Sequence, residues 1–112
     1  NIRVMRYAEV LLIAAEAKIR QGDVTGAATY LNQVRQRVNL PAIATPSLEQ
    51  ILLERRLELA MEGDRFFDLV RTGQAATVLA SKGFTPGKNE LFPIPQTQID
   101  LSEGKLIQNP GY

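Results

Sequence analysis

The stretch from Ser47 to Gly73 constrains the fold of this 112-residue chain more than any other part of it. Ser47 lies three residues before Gln50 and directly before an apolar run, which is the signature of a capping box at a helix N-terminus. Apolar residues then recur at helical spacing: Leu48, Ile51, Leu52, Leu53, Leu57, Leu59, Ala60 and Met61. The pattern predicts a helix that Gly63 closes, followed by a shorter helix between Asp64 and Gly73.

Three glutamates, Glu54, Glu58 and Glu62, are spaced as one row of like charge on the predicted helix. Each neighbouring pair costs about 0.2–0.5 kcal/mol on an isolated helix, so the row needs cations held against it. We predict an ion-pair network, the signature network, which fixes the short helix against the long one. Its members are Arg55, Glu58, Glu62, Arg65, Asp68 and Arg71. A solvated charged face is the alternative; the adjacent rings Phe66 and Phe67 favour the network, because rings of that size are expected to be buried.

Composition excludes several classes of function. The 13 basic and 12 acidic residues leave a net charge of +1, and no alternation of basic and aromatic residues appears, which argues against nucleic-acid binding. The chain has no Cys and no His, so it lacks disulfides, thiolate ligands, the commonest metal ligand and the usual acid–base group near neutral pH. We therefore expect no metal site and no cofactor.

The first third of the chain predicts a helical hairpin. Apolar residues cover most of the circumference of a helix over residues 3–21, with a narrow polar stripe through Glu9, Glu16 and Arg20. Gly22 and Asp23 break it, and a second helix follows over 24–38. The spacing of small and apolar residues is similar to that of a tetratricopeptide repeat.

Two basic residues of the second helix, Arg35 and Arg37, leave two interpretations open. A solvated face is the simpler one, and pairing with the row Glu54–Glu62 is the sharper one.

Several features suggest that this sequence belongs to a longer chain. A helix that is apolar nearly all round needs covering on several sides, and a lone repeat cannot bury both of its faces. The chain also starts at Asn1 without Met, signal peptide or lipid-attachment Cys, so we expect a targeting segment upstream. By itself the chain is expected to expose Leu11, Leu12 and their neighbours, and hence to self-associate or dissolve poorly.

The last third changes character. Ala75–Ser81 is predicted to add one or two helical turns before Gly83, and Leu91–Pro95 to be extended, because two of its residues are prolines without a backbone donor. Gln96–Leu101 can form one turn, and the apolar residues up to Tyr112 predict a docked tail. The predicted fold is all-α: a tetratricopeptide-like helix pair over 1–38, further helices over 47–81 and an extended, Pro-containing tail over 84–112.

Four ordered motifs carry a resemblance to one family. Residues 54–73, ERRLELAMEGDRFFDLVRTG, resemble the C-terminal signature of the SusD/RagB family of outer-membrane nutrient-binding lipoproteins. Residues 5–17, MRYAEVLLIAAEA, are similar to the Arg-Tyr-Ala-Glu helix of that family. Leu91–Pro95 resembles its Pro-Ile-Pro segment, and QNPGY, residues 108–112, is how many members end.

The resemblance implies an α-helical scaffold with tetratricopeptide-like helix pairs, anchored by lipid at the bacterial outer surface through an upstream segment. It implies a glycan or other nutrient as ligand, and as partner a TonB-dependent, SusC-like transporter that the protein caps. In this family the ligand contacts come mostly from outside the C-terminal signature. We therefore predict no ligand-binding residue here and a structural role for the signature network.

Two rival functions remain open at this point. An intracellular adaptor of tetratricopeptide type would hold a partner peptide in a helical groove, and its support is the spacing from Gly22 to Val34. A carbohydrate-active enzyme would use Glu58 and Glu62, but two carboxylates on one helix face among arginines both stay ionised, and neither serves as the acid. We expect no catalysis.

The aromatic residues give no ligand site by themselves. The Phe side chains are expected in the core, with Phe84 in a turn-rich loop as the most exposed ring. Tyr30 is expected to pack between helices.

Overall fold

The computed structural model describes residues 4–112, and its regular structure is entirely helical in that range, which confirms the predicted all-α class. Six α-helices follow one another there: α1 Tyr7–Arg20, α2 Val24–Arg37, α3 Leu48–Glu58, α4 Arg65–Arg71, α5 Ala75–Val78 and α6 Gln96–Leu101, with a 3-10 turn at Ala80–Lys82. The chain divides into two compact units, of which the first ends at Arg65 and the second begins at Phe66.

The hairpin of α1 and α2 is closed by local hydrogen bonds. At the end of α1, Gly22 adopts a φ of 81°, and its N–H donates to the carbonyl of Ile19 at 3.0 Å. The next residue, Asp23, accepts a bond from the N–H of Gly26 at 2.8 Å and so caps α2. A left-handed residue that ends one helix and an N-cap that starts the next thus reverse the chain within residues 21–23.

The first helix starts later than the periodicity predicts. Arg6 is extended, with φ −133° and ψ 162°, and α1 begins at Tyr7 instead of at residue 3, which lies outside the described residues. The error has a physical cause, since Val4 and Met5 continue the apolar pattern while remaining exposed and non-helical.

The core of the first unit lies where α1 packs on α2 and α3. Its buried members are Leu11, Leu12, Ala15, Ala27, Leu31, Val34 and Ile51. The expectation that Leu11 and Leu12 face water was wrong, because α2 and α3 cover that side of α1. The polar stripe of α1 is also covered in part, since Glu9 and Glu16 are buried.

Helix α3 begins where the sequence predicts and is shorter than predicted. The Gln50 amide donates to Ser47 Oγ at 3.2 Å and the Ser47 amide to Gln50 Oε1 at 2.9 Å, so the capping box is confirmed. The helix ends at Glu58, because the amide of Glu62 bonds to the carbonyl of Leu59 and Met61 turns to a φ of 68°. The predicted closure at Gly63 was wrong, and Glu62 does not continue a helical row.

The linker between α2 and α3 is fastened to α2 by one side chain. Asn32 donates through Nδ2 to the carbonyl of Ile43 and accepts from its amide through Oδ1, both at 2.9 Å. This pair of bonds satisfies a loop backbone that has no secondary-structure partner.

The second unit is organised around Phe66. Its ring centroid lies 5.8 Å from that of Phe67, 6.5 Å from that of Phe84 and 6.4 Å from that of Phe92. Phe67 and Phe92 are 62% and 70% exposed, whereas Phe84 is half-buried. The expected burial was therefore wrong for Phe67 and Phe92, and the expected exposure of Phe84 was wrong as well.

The C-terminal tail is docked on the extended segment Leu91–Pro95, as the sequence predicts. The side chain of Gln108 exchanges two bonds of 2.8 Å with the backbone of Ile94, and Asn109 Nδ2 donates to the carbonyl of Phe92 at 2.6 Å. Tyr112 Oη donates to the carbonyl of Leu91 at 2.9 Å. Side-chain amides and a phenol thus replace the strand partner that a segment with two prolines cannot have.

Candidate functional site

Three helix ends of the first unit meet at one carboxylate. Arg6 precedes the first residue of α1, Arg37 is the last residue of α2 and Glu58 is the last residue of α3. Arg6 and Arg37 both bond to Glu58, and Arg6 also bonds to Glu62. We call Arg6, Arg37, Glu58 and Glu62 the Glu58 junction.

Arg6 makes most of the bonds of the Glu58 junction. Its Nη1 lies 2.5 Å from Glu58 Oε1, its Nη2 lies 2.5 Å from the backbone carbonyl oxygen of Glu58, and its Nε lies 2.8 Å from Glu62 Oε2. One guanidinium therefore binds two carboxylates and also the last carbonyl of α3. A cation is stabilised at that position, because the C-terminal end of a helix carries partial negative charge.

The electrostatics follow from this geometry. The hydrogen bonds that Arg6 donates to Glu62 and Glu58 raise the pKa of Arg6 further above its ordinary value. The bond from Arg6 holds the pKa of Glu62 below its ordinary value of 4.5. Glu62 is consequently ionised at neutral pH and cannot supply a proton there.

A second ion pair joins α2 to α3. Arg35 Nη1 lies 2.5 Å from Glu54 Oε2, and Arg35 Nε donates to the carbonyl of Pro41 at 2.9 Å. Together with Arg37 and Glu58, at 2.8 Å, this pair shows that the sharper interpretation of the basic residues on α2 is the right one. The solvated-face interpretation was wrong for Arg35, whose side chain is 16% exposed, whereas Arg37 reaches Glu58 and still has 59% of its side chain exposed.

The signature network as a whole stays a prediction, and the structure gives the surroundings of each of its six members. Glu58 and Glu62 lie in the Glu58 junction, where both pair with Arg6, a residue outside the predicted signature network. Arg55 is buried in α3, and Arg65 is half-buried at the start of α4. In the second unit, Arg71 Nη2 pairs with the buried carboxylate of Asp68 at 2.7 Å.

Sequence reasoning missed Arg6 as the central cation. One signal was available: a cation beside the positive N-terminal end of a helix is unfavourable unless a carboxylate compensates it. Periodicity cannot supply the partner, because Arg6 and Glu58 are 52 residues apart.

A cleft of about 550 Å³ lies beside the Glu58 junction in the first unit, between the start of α1 and the end of α2. Its polar wall is formed by Arg6, Gln33, Gln36 and Arg37. Its apolar wall is formed by Tyr7, Ala8, Leu11 and Val34. A cleft of this size with mixed walls is suited to binding, and it presents no pair of free carboxylates for acid–base chemistry.

An aromatic surface lies in the second unit, where Phe67 and Phe92 flank Phe66. Exposed rings of this kind stack on apolar faces of ligands or partners. Neither this surface nor the cleft was predicted from the sequence, because exposure is decided by the packing around each ring.

The described part of the chain offers no metal-binding cluster of three or more acidic side chains. Within residues 4–112, every helix is too short or too polar to cross a lipid bilayer.

Comparison with known proteins identifies relatives over the whole chain. The family model described as the SusD family matches residues 1–112. The SusD-like protein P38 of Formosa agariphila is 39% identical over 125 residues, which cover 100% of this chain and 25% of that protein. The starch-binding protein SusD of Bacteroides thetaiotaomicron is 32% identical over 123 residues, which cover 100% of this chain and 22% of that protein.

Solved structures agree with these relatives. A laminarin-binding SusD-like protein superimposes with a TM-score of 0.85 and 49% identity, over 97% of this chain and 23% of its own. The surface glycan-binding protein A from Bacteroides thetaiotaomicron gives a TM-score of 0.83 and 40% identity, over 98% of this chain and 25% of its own. The chain thus spans about a quarter of the length of the relatives that it matches. The match over all 112 residues shows that the protein belongs to the SusD family.

Proposed function

We propose that these residues form the scaffold part of a cell-surface glycan-binding lipoprotein that works with a TonB-dependent, SusC-like transporter and has no catalytic activity of its own. Family membership supports the binding role, since relatives are named for starch, laminarin and surface glycans. The intracellular adaptor loses its support, because the family match extends over all 112 residues and not over one repeat.

The observation that carries the scaffold role is the Glu58 junction. A glycosidase needs one carboxyl group that gives up a proton and a second that is free to act on the sugar. Here both carboxylates are bound by arginines, and the pKa of Glu62 is lowered. A carboxylate that joins three helix ends holds a fold together and is not available for substrate.

One pair of measurements distinguishes binding from catalysis. Both are made on the longer protein, by which we mean the longer polypeptide that we expect to contain these 112 residues. We expect native affinity electrophoresis to show binding of laminarin or starch, and a reducing-sugar assay to show no release from either polymer. Glu58→Gln should leave the affinity unchanged and lower the midpoint of thermal unfolding, because Arg6 and Arg37 lose a charged partner. Reducing ends released by the wild type and not by the variant would show that the protein is an enzyme.

The transporter partnership is tested separately. A tagged longer protein extracted in mild detergent is expected to copurify with an outer-membrane protein of TonB-dependent type. A matched preparation without the tag controls for adventitious capture. Recovery of the tagged protein alone, under conditions that keep other outer-membrane complexes intact, would contradict the partnership.

The surface location has its own test. Proteinase added to intact cells should remove the longer protein while a periplasmic marker survives, and radiolabelled palmitate should be incorporated into it. Protection from proteinase until the cells are lysed would contradict both the surface location and the proposed role in glycan capture.

A further inference from the structure

Helix α1 buries two carboxylates and leaves part of its apolar surface in water, although Leu11, Leu12 and Ala15 pack inward in the usual way. A surface helix normally turns its charged side chains to water and its apolar side chains inward. In α1, Glu9 and Glu16 are buried. On its exposed side the helix presents five apolar residues at helical spacing, which we call the outward face: Tyr7, Val10, Ile13, Ala14 and Ala17.

The outward face is continuous. Val10 and Ile13 are 44% and 46% exposed, and Tyr7 at its start is 71% exposed. At 3.6 residues per turn, the five side chains fall within about a third of the helix circumference, with no charged residue among them. Water is therefore left against an unbroken apolar strip along most of α1.

The chemistry of the outward face fits another helix better than it fits a glycan. A sugar needs hydrogen-bonding groups for its hydroxyls, and the phenol of Tyr7 is the one polar side-chain group of the outward face. Ala14 and Ala17 lie about one turn apart in its C-terminal half, and small residues let a second helix approach closely. Branched Val10 and Ile13 beside them supply the ridge that such a helix packs against.

We propose that the outward face is the docking surface for an apolar-faced helix of the same polypeptide, which comes from outside these 112 residues. The relatives supply the argument for this occupant, since about three quarters of the length of each lies outside the matched part. An apolar strip of this length is normally covered in a folded monomer. The proposal rests on family membership and not on the identity of any ligand.

The test measures how accessible position 13 is. The 112 residues contain no Cys, so Ile13→Cys introduces a single thiol into them. Maleimide labelling of that thiol is followed by peptide mass spectrometry in the native longer protein and in the same protein unfolded in urea. The 112-residue chain with the same substitution is labelled in parallel at several concentrations.

We expect labelling of the thiol at position 13 to be at least about 100-fold slower in the native longer protein than in urea, since it then requires local opening. In the 112-residue chain the thiol is expected to react quickly at every concentration. A photoreactive benzoylphenylalanine at position 13 of the longer protein should crosslink within the same polypeptide, to a peptide outside the 112 residues.

Three results would overturn the proposal. Rapid labelling in the native longer protein would leave the outward face uncovered. Protection that appears in the 112-residue chain and grows with its concentration would identify a second copy as the occupant. Protection of the longer protein only after laminarin is added would identify the outward face as a ligand surface. Glycan binding is also measured on unlabelled protein, so that a failure of this proposal can be distinguished from a failure of the proposed function.

Discussion

The two units of this chain reach stability by different means. The first unit buries apolar side chains from three helices against one another, and Leu12, Leu31 and Ile51 have no exposed surface at all. The second unit has shorter helices, a ring cluster that is open to solvent and a tail held by side-chain bonds to backbone groups. One family match therefore covers two kinds of structure. The first unit has a core that follows from the periodicity of apolar residues, and the second unit is held by individual side-chain contacts.

The largest effect is expected in the core of the first unit. Leu12→Ala should lower the free energy of unfolding by about 2–5 kcal/mol, because it removes a fully buried side chain and leaves a cavity. Leu101→Ala in α6 is the control: this leucine is 78% exposed, so a change within about 0.5 kcal/mol is expected. Urea unfolding followed by circular dichroism measures both, and equal effects would remove the distinction between the units.

The next effect concerns the ring cluster of the second unit. Phe66→Leu should cost about 1–3 kcal/mol, since it keeps much of the apolar volume and loses three ring contacts. Phe67→Leu loses one of those contacts from an exposed ring and should cost less than half as much. Hydrogen exchange should place the loss of protection in residues 66–112; loss in α1 and α2 would show that the ring cluster supports the first unit instead.

A smaller effect is expected at the Glu58 junction. Arg6→Gln removes the cation shared by two carboxylates and should cost about 1–2 kcal/mol, because partly exposed ion pairs are screened by water. Lys18→Gln, which removes one exposed pair with Asp23, is the control and should cost clearly less. If the two variants unfold at the same urea concentration, the Glu58 junction contributes no more to the free energy of unfolding than an ordinary surface ion pair does.

The same variant should change the response to acid. The pKa of Glu62 is lowered in the folded chain, so its bond to Arg6 contributes fully above its ordinary value of 4.5 and is lost as the pH falls through the folded pKa. The wild type should therefore lose more stability than Arg6→Gln between pH 6 and about 3. Asp23 also has a lowered pKa, because of the Gly26 amide and Lys18, so the variant should keep part of the acid response. Identical pH profiles would mean that Arg6 does not hold Glu62 in solution.

The smallest effect is expected at the end of the tail. Tyr112→Phe removes the bond to the carbonyl of Leu91 and keeps the ring under the Lys88 ammonium, which lies 4.7 Å from the ring centroid. The local stability of the tail is expected to fall by about 0.5–1 kcal/mol. Hydrogen exchange should become faster in the tail and remain unchanged elsewhere. A cooperative loss of stability across both units would show that the tail stabilises more of the chain than the second unit's own residues.

Self-association of the 112-residue chain remains a prediction with a revised cause. Leu11 and Leu12 are covered, so an apolar surface for association would come from the exposed rings of Phe67 and Phe92 instead. Light scattering that shows a compact monomer at every concentration would count against it.

The sequence by itself determined the helical class, the capping box at Ser47, the hairpin turn at Gly22 and the docked tail. These depend on neighbours within a few residues, where periodicity, caps and prolines act directly. It also supplied the four motifs by which the family is recognised.

Only the tertiary structure decided which charges meet and which rings face water. Arg6 finds Glu58 across 52 residues, and Phe67 stays exposed although it adjoins the half-buried Phe66. Such contacts depend on how helices pack, and neither the spacing of residues nor the type of side chain encodes that geometry locally. For the same reason α3 ended one turn before the predicted glycine, at the carbonyl that Arg6 binds.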